Sequence, residues 1–261
     1  MRSLSIGATG MLAQQLNVEV ISNNIANMTT TGFKRQRAEF QDLLYQNIRR
    51  VGSTSSDAGT VVPTGVQIGA GVRAAAVYRI NEQGNVQVTD NPLDMAIRGR
   101  GYLQVQLPTG ETAYTRAGSL QLNADGQIVT SDGFLLEPQI TVPQETVSIT
   151  VNASGEVLAS IDGQAQPQNL GQIQLALFAN EAGLEALGDN LFRSTPASGD
   201  AQVGNPGEPG YGRILQGSLE TSNVNMVAEV TNLITAQRAY EMNSKVIRAA
   251  DEMMNSVSQL R

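Results

Sequence analysis

The sequence predicts an α+β chain. A long helix stands at each end, the two forming a coiled-coil-like axial domain. A central antiparallel all-β domain and an extended arm lie between them. Three observations carry this reading. Apolar residues recur every seven positions at both ends. In the middle the recurrence falls to two. The period-two stretches are separated by Asp-Gly and Ser-Gly dipeptides, which close β-hairpins.

At the N-terminal end, Leu4, Met11, Val18 and Ile25 form one row, widened by Leu12, Leu16, Ile21 and Met28. A helix over 4–28 would be about 37 Å long at 1.5 Å per residue. Thr29-Thr30-Thr31-Gly32 ends it, because β-branched residues are weak helix formers and glycine suits a left-handed exit. Residues 1–32 are therefore assigned to the N-terminal axial helix. Residues 33–71 form a linker and arm, with a Ser-, Thr- and Gly-rich stretch at 53–63.

Residues 72–222 read as the β domain. Leu103, Val105 and Leu107 share a face, as do Val147, Ile149 and Val151, and Ile173, Leu175 and Leu177. Turns are expected at Thr109-Gly110, Asp125-Gly126, Asp132-Gly133, Ser154-Gly155 and Asp162-Gly163. The last element, within 223–261, repeats the helical pattern more strictly. Met226, Leu233, Tyr240, Ile247 and Met254 stand seven apart, with Asn225 as N-cap and Glu229 near the positive end of the helix dipole. Such spacing over about 50 Å calls for a helical partner, and this helix is expected to pack with 1–32.

Composition narrows the chemistry. The 261 residues carry a net charge of −7 and include no His, Cys or Trp. Without His or Cys there is no Ser-His-Asp triad, thiol nucleophile or ordinary zinc site. No catalytic residue, cofactor site or metal site is expected. A two-carboxylate glycan hydrolase needs only acids, and Glu111, Asp125 and Asp132 are the nearest candidates. Both aspartates precede glycine, where they are more simply turn formers. The acidic balance argues against nucleic acid, which needs a basic face. No stretch approaches the roughly 20 apolar residues of a membrane span. The opening residues lack the continuous apolar core of a cleaved secretory signal, so an exported chain would need a route without one.

Between Ser3 and Phe33 the only charged residue is Glu19; the polar face is built of amides and hydroxyls. In a homopolymer every charge meets its own kind on each neighbour, whereas amides bond to one another without net charge. The rows Leu4, Met11, Val18, Ile25 and Met226, Leu233, Tyr240, Ile247, Met254 are accordingly predicted to be polymer interface. Gly7 and Gly10 each cost about 1 kcal/mol in a helix, which predicts a first helix that orders on assembly.

Ala26-Asn27-Met28-Thr29-Thr30-Thr31-Gly32-Phe33-Lys34 resembles the N-terminal signature of the flagellar rod and hook proteins, with Ala26, Asn27, Thr29, Gly32, Phe33 and Lys34 at its motif positions. Leu219-Glu220-Thr221-Ser222-Asn223-Val224-Asn225 and Gln237-Arg238-Ala239-Tyr240-Glu241-Met242-Asn243-Ser244-Lys245 resemble the family's C-terminal segments. The stretch 40–46, the arm and Gly65-Val66-Gln67-Ile68-Gly69-Ala70-Gly71-Val72 look like the distal-rod branch, with proximal rod and hook-type members as rivals. The resemblance implies a structural subunit of the flagellar basal body. It implies export through the flagellar type III apparatus without signal cleavage and a homopolymer in the periplasm-spanning rod. The implied neighbours are proximal rod proteins, the hook protein and the surrounding L- and P-ring bushing, with no membrane insertion.

Overall fold

The computed structural model describes residues 2–49, 64–164 and 166–259; the 53–63 arm lies outside them. The chain is α+β, as the sequence predicts. Helix α1 spans Arg2–Ala26, helix α2 spans Met226–Gln259, and antiparallel strands fill the middle. The chain divides into two compact units. One comprises 1–25, 36–78 and 226–261, and the other 26–35 and 79–225.

In the first unit the helices are accompanied by strands from the segment after α1. Gln36–Asp42 pairs with Val72–Arg79. Tyr45–Arg49 pairs antiparallel with Val66–Gly69, with a bulge between Asn47 and Arg49. This second pair leaves Leu44 (88%) and Ile48 (60%) exposed. Thr9 Oγ1 in α1 accepts from Val72 N at 3.4 Å.

In the second unit Tyr102–Gln106 is central, pairing with Thr112–Thr115, Leu135–Glu137 and Leu175–Leu177. A three-stranded sheet of Thr146–Val151, Glu156–Ile161 and Gln168–Gln172 closes over the same core. The alternation is realised where the ladder is regular. Leu103, Val105, Ile173 and Leu175 are fully buried. Val147 is 72% exposed because the register slips between Thr146 and Ser148, taking it off the inner face. All five expected turn glycines, Gly110, Gly126, Gly133, Gly155 and Gly163, have φ between +76° and +86°.

Two of those turns use one device. Asn123 Oδ1 accepts from Asp125 N (3.0 Å) and Gln127 N (2.8 Å). Asn152 Oδ1 accepts from Ser154 N (3.1 Å) and Glu156 N (2.9 Å). Asp125 is thereby a turn residue, as is Asp132 beside Ser131. Glu111 is exposed, 3.9 Å from Arg193. Among the described residues no three acidic side chains converge as a metal ion would need, and no helix is long and apolar enough to cross a membrane.

Candidate assembly interface

Helices α1 and α2 run antiparallel: Gly7 stands against Ile247, Gly10 against Asn243 and Asn24 against Glu229. A Cβ on Gly7 would lie 2.8 Å from Ile247 Cγ1, and one on Gly10 2.9 Å from Asn243 Nδ2. The two glycines thus permit a close helix approach that side chains would block. On α2 the seam side includes Glu229, Ala236 and Ala250, which are buried, and Leu233, Asn243 and Ile247, which are half-buried. Asn24 is 1% exposed. Its Nδ2 donates to Glu229 Oε2 (3.2 Å) and to Gln36 O (2.8 Å), and its Oδ1 accepts from Gln36 N (2.8 Å). One amide therefore ties α1 to α2 and to the first strand without adding a buried charge.

The sequence-predicted interface residues divide between seam and surface. Leu4, Met11, Val18 and Ile25 are each half-buried. Ile247 stands against Gly7 of α1 and, like Leu233, is half-buried, whereas Met226, Tyr240 and Met254 remain exposed. Among the described residues nothing covers the side of α2 opposite the seam: Val227, Ile234 and Met242 are exposed at 77%, 46% and 60%. A groove of about 490 Å³ between the helices is lined by Gln15, Val18, Glu19, Gln237, Tyr240 and Glu241.

The motif residues after α1 belong to the second unit and serve a different purpose. Ala26 and Thr29 are exposed, and Thr30 Oγ1 donates to Asn27 Oδ1 at 3.1 Å. Gly32 has φ +69°, and its N donates to Glu220 O at 2.8 Å. A Cβ there would meet the Arg116 carbonyl carbon at 2.9 Å. Phe33 is half-buried. Lys34 Nζ donates to Glu220 Oε1 at 2.6 Å and to Glu82 O at 2.8 Å. Arg116 Nε donates to Glu220 Oε2 at 2.7 Å, and its terminal nitrogens reach the carbonyls of Gly99 and Gly101. Gly84 N completes the carboxylate's partners at 2.8 Å. Lys34, Arg116 and Glu220 are 3%, 4% and 0% exposed.

This buried clamp joins the segment leaving α1 to the segment entering α2. Asn223 reinforces it, accepting from Arg35 N (2.7 Å) and donating to Ile80 O (2.8 Å). Burial pushes the Glu220 carboxyl up, but Arg116 and Lys34 outweigh that and hold it below the usual carboxylate range. Burial and the Arg116 charge push the Lys34 ammonium below its ordinary value, against the pull of Glu220. Lys34 and Glu220 lie within segments the sequence singled out. Arg116 does not, and nothing in its neighbourhood distinguishes it from a surface arginine.

Paired helical termini, a β unit closed over a charge clamp and an uncovered helix face are the build of a structural subunit. The comparisons with known proteins agree. Residues 4–34 match the model "Flagella basal body rod protein", 96–159 "Flagellar hook protein FlgE/F/G D1 domain", and 215–260 "Flagellar basal body rod FlgEFG protein C-terminal". The Flagellar basal-body rod protein FlgG of Caulobacter vibrioides is 64% identical over 100% of both chains. That of Agrobacterium fabrum is 54% identical over 99% of each. That of Borreliella burgdorferi is 46% identical over 100% of this chain and 99% of its own. The chain belongs to the flagellar basal-body rod protein family.

Proposed function

We propose that this chain is a subunit of the distal rod of the bacterial flagellar basal body. There it polymerises into a hollow helical shaft that carries motor torque toward the hook. The observation that supports this best is the uncovered outer side of α2, a long helix with one side seated on α1 and apolar residues on the other. The exposed Leu44 and Ile48 of the strand pair after α1 are a second surface that a neighbouring subunit would cover. An interface whose two halves differ propagates as an open helix rather than closing. The half-exposed rows Leu4, Met11, Val18, Ile25 and Met226, Tyr240, Met254 would complete the contact.

In this reading the proximal rod and the hook are the neighbours at the two ends. The ring bushing surrounds the shaft, and the chain reaches its place through the flagellar export apparatus uncleaved. The test is assembly. Concentrated full-length chain should form filaments or sheets by electron microscopy, and deletion of residues 1–28 should abolish them. A chain that stays monomeric at high concentration, with intact rods in cells lacking it, would overturn the proposal.

A further inference from the structure

The groove between α1 and α2 has a chemistry that, on the footing of the polymerisation reading above, selects what fills it. Glu19 from α1 and Glu241 from α2 both line it, together with Val18, Tyr240 and the amides of Gln15 and Gln237. Gln15 Nε2 donates to Glu19 Oε1 at 3.2 Å. Among the described residues neither carboxylate forms an ion pair. Two carboxylates beside an aliphatic and an aromatic side chain fit a long basic side chain, whose stem lies on apolar surface while its head meets the acids. An anionic membrane or a nucleic acid would be repelled.

Such side chains stand on the far side of the same compact unit. Helix α1 lies along the strand pair of Gln36–Asp42 and Val72–Arg79, meeting Val72 N through Thr9 and Gln36 through Asn24. Thr9 and Val18 are nine residues apart, as are Gln15 and Asn24. Nine residues are about two and a half turns of a helix, so the strand pair and the groove occupy opposite sides of α1. Along Gln36–Asp42 burial alternates: Gln36, Ala38 and Phe40 are half-buried, and Arg37, Glu39 and Gln41 are exposed. On this outer face Arg73 Nη2 donates to Gln41 Oε1 at 3.2 Å and Tyr78 OH to Glu39 Oε1 at 3.1 Å. The face thus offers two cations, Arg37 and Arg73, against one anion that Tyr78 already holds. The cations of α2 fit less well. Arg238, Lys245 and Arg248 all lie within about two turns of Glu241, so a copy docking through them carries that carboxylate toward the groove. A contact of groove with strand face uses one surface from each copy and leaves each the other. It therefore propagates, whereas a two-fold pair would need both surfaces of each copy in a single contact. We propose that the groove receives the outer strand face of a second copy, with Arg37 and Arg73 meeting Glu19 and Glu241.

The native chain has no cysteine, so introduced thiols report the contact directly. Full-length Val18→Cys and Gln41→Cys are polymerised together and oxidised. The mixed 18–41 disulfide should dominate; a dominant 18–18 or 41–41 product overturns the proposal. At low salt Glu241→Lys should raise the concentration needed for polymerisation about tenfold or more, with the defect shrinking as salt screens the contact. Arg37→Glu should act in the same direction. Glu39→Gln removes the one anion from the strand face and should lower the concentration needed. Circular dichroism of each variant monomer checks that the helices persist. If wild type polymerises and either no 18–41 bond forms or both charge reversals match it, the contact is refuted and the assembly reading stands. If wild type never polymerises, both fall.

Discussion

Replacing Glu220 with glutamine keeps the side chain's shape and removes its charge, leaving Lys34 and Arg116 as two buried cations with no anion between them. Removing one partner of a buried ion pair costs about 3–5 kcal/mol. The amide oxygen of the new side chain can still accept from Gly84 N, but its NH2 then faces the Arg116 Nε–H donor, so a hydrogen bond is lost together with the charge. Against a domain stability of about 5–15 kcal/mol, a loss near 4 kcal/mol lowers the melting temperature of a unit this size by about 8–16 °C. Lys34→Met provides the contrast. It leaves Glu220 paired with Arg116 at 2.7 Å and bonded to Gly84 N at 2.8 Å. Glu220 Oε1 and the Glu82 carbonyl each lose one donor, and the carbonyl keeps Asn223 Nδ2 at 3.0 Å. The clamp then holds one charge of each sign, and the cost should be about 1–2 kcal/mol. Thermal and urea unfolding of the full chain, followed by circular dichroism, measures both. A Lys34→Met loss equal to that of Glu220→Gln, or a Glu220→Gln loss under about 1 kcal/mol, would refute a clamp centred on the carboxylate.

The same carboxylate sets an acid dependence. Its folded pKa lies below its unfolded value of about 4.3, so the unfolded chain binds more protons between the two. The stabilisation is complete above the unfolded value and is lost as pH falls through the folded one. Urea midpoints from pH 6 to 3 should show this loss, and Glu220→Gln should flatten it; an unchanged acid limb would count against the assignment. Gly32→Ala should destabilise the β unit by about 1–3 kcal/mol, by unfolding in urea, since φ is +69° and the new Cβ meets Arg116 backbone. Gly10→Leu should wedge α1 from α2 and strip hydrogen-exchange protection from α1 while the β unit keeps its own. Asn24→Leu should cost about 3 kcal/mol locally, because both backbone groups of Gln36 lose their partner. Exchange of the Gln36 amide reads that loss out.

The two helices and the β middle could be read from the sequence because each buries one side, and one-sided burial imprints its own period on the residues. The turns could be read because glycine alone is comfortable at φ near +80°. Partner identity could not. The row Leu233, Tyr240, Ile247 has the same spacing whether the helix it faces belongs to its own chain or to a copy. In the structure Ile247 faces α1 of its own chain. Val147 escaped because a one-residue bulge exchanges inside for outside without altering the composition around it. The paired Asn-Ala-Asp-Gly-Gln and Asn-Ala-Ser-Gly-Glu turns share a device too short to register as a repeat.

The clamp was the least readable feature, for a reason that also bears on the shortage of charge in α1. Lys34, Arg116 and Glu220 are distant in sequence, and each alone resembles a solvated surface residue. Only the fold brings them together, and only together do they satisfy one another. The chain thus handles buried polarity in two ways. In the β unit, which closes around itself, charges are buried and neutralised within one molecule. Between α1 and α2 the buried polar pair is the neutral amide of Asn24 and the carboxylate of Glu229, so α1 contributes the amide and α2 the charge. A buried charge needs its counter-charge fixed in place before water leaves, and a self-contained unit can guarantee that geometry.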